Sequence, residues 1–83
     1  PGLRAFPNPA SDLVTMVVSG VDDGPVRVEV IDALGRRVGV TEGRSLAGTV
    51  RLAWDGGQAA AGRYTLRVVG RPEIEPVSVV ISR

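Results

Sequence analysis

Apolar and polar residues alternate with a period of two in short runs along the whole chain, and Gly, Pro and Asp break the runs at short intervals. The alternation predicts strands over Leu3–Phe6, Leu13–Ser19, Val26–Asp32, Arg37–Thr41, Thr49–Trp54, Arg63–Val69 and Val77–Ser82. No amphipathic helix competes, since Ala59–Ala61 is too short to hold one alone. Seven short strands in 83 residues predict an all-β, seven-stranded antiparallel β-sandwich.

The same period assigns the faces. Val14, Met16 and Val18, then Val26, Val28 and Val30, then Val50, Leu52 and Trp54 are predicted to point inward. Tyr64, Leu66 and Val68, with Val77, Val79 and Ile81, complete that core. Arg27, Glu29, Arg51, Arg63, Thr65 and Arg67 stand between them and can stay in water, as one-sided burial of an antiparallel sheet requires.

The breaks have their own chemistry. In "IDALGRRV" (31–38) Asp32 can cap a type I turn and Gly35 can take the left-handed position of a bulged hairpin. In "VDDGPV" (21–26) Gly24 is free to adopt positive φ and Pro25 precedes a strand. "WDGGQAAAGRY" (54–64) is the longest connection of clear sequence character, with Gly62 turning the chain into the Tyr64 strand. "RAFPNPASD" (4–12) forms a hook: Pro7 and Pro9 fix their own φ, Phe6 and Asn8 become extended, and Ser11 or Asp12 can bind turn amides before Leu13. The hook predicts the point where a linker ends and the domain begins, which would let Pro7 and Pro9 position that linker.

Length predicts one domain spanning 1–83. Apolar residues make up 43%, but aromatics only 4%, so Val, Ile and Leu must supply most of the core. There is no Cys and no His, which removes disulfides, thiol nucleophiles, Ser-His dyads and the usual Zn, Cu or haem ligand sets. All ten cationic residues are Arg; against nine acids they leave a net charge of +1, too weak a field to predict nucleic acid as a partner. The longest uncharged run, Leu13–Val21, is far short of the about 20 residues a spanning helix needs, so no membrane span is predicted. A chain that starts at Pro1 without Met reads as part of a longer protein, on which any secretory signal would lie.

Catalytic, cofactor and metal residues are predicted to be none. Asp22 and Asp23 are neighbours on a turn and do not converge on one substrate atom. A Ca²⁺ ion would find Asp22, Asp23 and Asp55, without the spacing of an EF-hand. The glycine-rich stretches contain no phosphate-binding loop and precede no helix. Trp54 and Tyr64 could stack on a sugar, but both fall on inward faces.

Four segments, "FPNPASD" (6–12), "VRVEVIDALGRRV" (26–38), "AGRYTLRV" (61–68) and "VSVVISR" (77–83), together resemble the type IX secretion system C-terminal sorting domain, type A. The same elements, with "WDG" at 54–56, are similar to the immunoglobulin-like module of the flagellar hook-capping protein family. Both resemblances imply an immunoglobulin-like sandwich. The first implies a non-catalytic address that sends an upstream passenger from the periplasm to the cell surface or the medium. Its partners would be the outer-membrane export machinery and a sortase-like peptidase. Its motif positions correspond here to Phe6, Pro7, Asn8 and Pro9, to Asp32, Gly35 and Arg36, to Gly62 and Tyr64, and to Val79, Val80 and Arg83. The alternative is an accessory immunoglobulin-like module of an extracellular enzyme or adhesin, structural or carbohydrate-binding, with no export role. For the sorting reading, a last strand at a sheet edge would offer unpaired backbone groups for strand addition by a receptor.

Overall fold

A computed structural model describes residues 1–83. It contains β1 (Gly2–Phe6), β2 (Leu13–Ser19), β3 (Gly24–Ile31), β4 (Arg37–Ser45), β5 (Thr49–Asp55), β6 (Gly62–Val68) and β7 (Val77–Ile81), and no helix. The strands form two antiparallel sheets in the orders β1-β2-β5 and β4-β3-β6-β7. This is an immunoglobulin-like β-sandwich in which the fourth strand joins the sheet of the third, not that of the fifth.

The inner faces are those that the alternation predicts, with two exceptions. Val14, Met16, Val18, Val28, Val30 and Leu66 are completely buried, and Val26, Val50, Leu52, Tyr64, Val68, Val79 and Ile81 nearly so. Trp54 and Val77 are only half-buried, because each lies near the end of its sheet, where the facing layer no longer covers it. Leu3, Ala10, Val21 and Ile74 complete the core from the first strand and from connections whose lack of alternation hides their role.

β4 differs most from expectation. It continues past Thr41 to Ser45 and turns Gly39, Thr41, Gly43 and Ser45 inward, leaving Val40 outside. The inversion follows from the close approach of the sheets along this edge. A Cβ on Gly39 would stand 2.9 Å from Trp54 Nε1, and one on Gly43 would stand 2.5 Å from Leu52 Cδ2. Only small residues fit beneath β4, so its apolar side chains face solvent. Between Val30 and Ile31 the register with β4 shifts, the irregularity expected of the bulged hairpin.

The registers also sort the connections into two groups. The part of the hook that follows β1 (7–12, the hook from here on), the turn 32–36, the loop 56–61 and the residues after Ile81 gather at one end, here the hook end. The connections 20–23, 46–48 and 69–76 lie at the other. Gly2 pairs with Ser19, and Pro1 lies against Gly20, so β1 begins at the end opposite the hook and runs toward it. The hook therefore follows the first strand instead of marking where the domain begins. Chain preceding Gly2 joins about 16 Å away, the length of a five-residue strand.

Candidate recognition site

At the hook end a short irregular segment does the work of a strand. The Phe6–Pro7 and Asn8–Pro9 peptide bonds are cis. Flanked by two prolines that fix their own φ and favour an extended Asn8, the hook turns the Asn8 side chain onto β7: the Val80 N–H donates to Asn8 Oδ1 at 3.0 Å, and Asn8 Nδ2 donates to the Ser78 carbonyl at 3.2 Å. Two residues on, the Ala10 N–H donates to the Val80 carbonyl and the Ser82 N–H to the Ala10 carbonyl, both at 2.8 Å. Ala10 is buried and bridges Ile81 in parallel. β7 is thus the last strand of its sheet, as a strand-addition surface needs, but its outer edge from Ser78 to Ser82 is occupied by the hook.

Asp12 rather than Ser11 supplies the turn bond after the hook, accepting from the Leu13 N–H at 2.6 Å. The Asp12 carbonyl accepts from the Gly56 N–H at 2.9 Å and ties the hook to the β5–β6 loop. Arg83 closes the same junction: its guanidinium donates to the carbonyls of Ser11 (3.1 Å), Gly56 (2.7 Å) and Ala59. A planar fork with several donors can serve three carbonyls at once.

The turn 32–36 stands beside this clasp. Asp32 Oδ1 accepts from the N–H groups of Leu34 and Arg36, each at 2.9 Å, while Asp32 Oδ2 accepts from Arg36 Nε at 2.9 Å. The Arg36 N–H, opposed by some desolvation and aided by the Arg36 side chain and the Leu34 N–H, holds the Asp32 carboxyl below its ordinary value. Gly35 has φ +84 and open space where a Cβ would stand, so conformation and not space demands glycine there. Gly62, at φ +152, leads into Tyr64, whose hydroxyl donates to the Ala60 carbonyl. The buried Tyr64 ring packs 5.3 Å from that of Trp54. Between turn and loop runs a groove of about 390 Å³, lined by Asp32, Arg36, Trp54, Gln58 and Tyr64.

The remaining expected positions divide by face. Val79 is core and Val80 points outward, 37% exposed. Phe6 is exposed on the outer side of β1, with the Arg51 guanidinium 5.9 Å from its ring centre. Asp22 and Asp23 lie at the far end from Asp55, so the three do not assemble. Leu34, 78% exposed at the tip of the turn, carried no expectation. A leucine between a turn's capping aspartate and its left-handed glycine, outside any alternating run, is the signal that could have found it.

Folded carboxylates, guanidiniums and backbone carbonyls here satisfy one another; the hook end offers shape and an exposed leucine, not a nucleophile or an acid–base pair. The fold is that of a small immunoglobulin-like sandwich without a helix. Consistent with this class, residues 4–81 match the family described as the secretion system C-terminal sorting domain, and the chain belongs to that family. It is a C-terminal sorting signal for type IX secretion, and the family is not catalytic. Membership implies the type IX machinery, an upstream passenger, and export with secretion or surface attachment. No helix is long and apolar enough to cross a membrane. Comparison with curated proteins and with solved structures found no match.

Proposed function

We propose that the hook end is the surface that the export machinery reads, and that residues 1–83 act there as one unit. The observation that supports this reading is convergence: Asn8, Asp32, Gly35, Arg36, Gly62, Tyr64, Val80 and Arg83 come from four separate segments and meet at one end, while β1 begins at the other. A passenger carried ahead of Gly2 then hangs from the far end and leaves the hook end free. Passage through the periplasm to the outer-membrane machinery, removal of the domain by a sortase-like peptidase and attachment of the passenger at the surface complete the proposed role. Pro7 and Pro9 serve it by shaping the clasp, since the linker joins elsewhere.

Two exposed leucines make the test. Leu34 sits on the hook-end turn and Leu46, 74% exposed, on a turn at the opposite end. Neither packs in the core, so replacing either by Glu leaves the fold intact. With a reporter passenger fused ahead of the domain, Leu34→Glu is expected to retain the passenger in the cells, and Leu46→Glu to release it like the wild type. Equal export by both variants would remove the hook end from the signal.

A further inference from the structure

The outer face of the four-stranded sheet concentrates positive charge. The registers turn Arg27, Arg37, Arg44, Arg63 and Arg67 outward on β3, β4 and β6, with only Glu29 and Glu42 among them. The other carboxylate side chains lie in connections or, for Asp55, at the end of β5 on the other sheet. A chain of net charge +1 therefore concentrates half of its arginines on one broad face, while most of its carboxylates lie in the connections.

The pairing on this face is incomplete. Arg27 holds Glu42 at 2.6 Å, while Glu29 bonds Arg67 and lies 3.9 Å from Arg37. Arg44 and Arg63 have no carboxylate partner. Val40 and Val69 are exposed on the same face, and grooves of about 460 and 230 Å³ flank Arg27. Arginine with scattered apolar side chains is the composition of protein interfaces, from which lysine is depleted.

We infer that this face docks an acidic protein surface, one that carries separated Asp or Glu side chains among apolar ones. Guanidinium forks accept carboxylates in bidentate geometry, and the valines need an apolar counterpart. Glu29 and Glu42 decide against a continuous polyanion, which they repel; spaced carboxylates can settle on the arginines between them. The inference stands apart from the hook-end reading, because Leu34, the clasp and the Asp32 turn take no part in it.

The probe is a labelled peptide of alternating Glu and Val, with binding followed by fluorescence anisotropy at low and high salt. The double reversal Arg44→Glu/Arg63→Glu touches exposed residues without ion pairs; Arg4→Glu/Arg51→Glu on the other sheet gives the same change in net charge. The face variant is expected to weaken binding about tenfold or more and the control about threefold or less. Equal losses, no measurable binding to the wild type, or a preference for vesicles of anionic phosphatidylglycerol over the peptide would each overturn the inference. Should the double reversal unfold, Arg44→Ser/Arg63→Ser takes its place under the same criteria.

Discussion

The side-chain amide of Asn8 is paired to the backbone of Val80, seventy-two positions away, by the Val80 N–H at 3.0 Å, and the same amide donates to the Ser78 carbonyl. One side chain thus offers β7 the donor and acceptor that a peptide group of a neighbouring strand would offer. Ala10 repeats the service one step along. An exposed edge strand invites unwanted pairing, and here the covering is supplied by the chain's own first connection.

Asn8→Ala removes both bonds and leaves the Val80 N–H and the Ser78 carbonyl without their partners. The expected loss is about 1–2 kcal/mol, read as a lower urea midpoint at unchanged m. Hydrogen exchange localises the effect: the Val80 amide should exchange faster, while that of Leu52, in the other sheet, changes only as far as global stability does. An unaltered Val80 exchange rate would show that the hook does not guard this edge.

Gly35 and Gly43 are both irreplaceable by valine, for different reasons that asparagine separates. Gly35 is left-handed with open space around it, a conformation Asn tolerates. Gly43 has no unusual φ but would push a Cβ to 2.5 Å from Leu52 Cδ2. Gly35→Asn should cost less than about 1 kcal/mol, whereas Gly43→Asn should cost about 2 kcal/mol or more through overpacking. Thermal unfolding of the two variants side by side checks the ordering.

These glycines also mark the limit of what the sequence could tell. Wherever valines alternate with polar residues, as in Val26–Val30 or Val14–Val18, period two placed strand and face correctly, because burial of one face is what created the pattern. The Asp32–Gly35 turn was equally legible, since its chemistry is local. β4 failed in its second half for the complementary reason: its inward side is Gly39, Thr41, Gly43 and Ser45, chosen for the nearness of β5, and a distance between sheets leaves no periodic trace. Trp54 read as core because alternation carries no information about where a sheet stops. The site was legible as a set of motifs but not as a place: that Asn8 reaches Val80, and that Arg83 reaches Gly56, depends on long-range closure.

Acid should loosen the Asp32 turn. The carboxyl titrates below its ordinary 3.8 in the folded protein, chiefly through the Arg36 N–H. Above 3.8 both folded and unfolded states are ionised and the full contribution is present. As pH falls below that value the unfolded chain takes up the proton first, and the contribution is lost as pH drops through the lowered folded value. Asp32→Asn abolishes the titration, so its stability should fall less steeply than that of the wild type below pH 3.8. Parallel pH profiles would mean that the turn does not contribute to acid sensitivity.

Arg83 combines a charge with a geometry, and the two can be taken apart. Its guanidinium reaches the carbonyls of Ser11, Gly56 and Ala59, which belong to the hook and to the β5–β6 loop. A lysine keeps the charge, but its ammonium is a compact donor on a flexible stem and cannot span three carbonyls in one plane. Arg83→Lys should therefore resemble Arg83→Ala in stability, each losing about 1 kcal/mol by denaturant unfolding. Proteolysis should cut both variants faster within Gly56–Ala61, because the loop loses its tie to the hook. The same pair tests what the export machinery meets at this end. If it meets the closed clasp, a passenger fused to either variant is exported more slowly than with the wild type and by a similar factor. Wild-type export by Arg83→Lys, with the loop equally open to protease, would show that the basic charge alone is read and that the clasp serves only the fold.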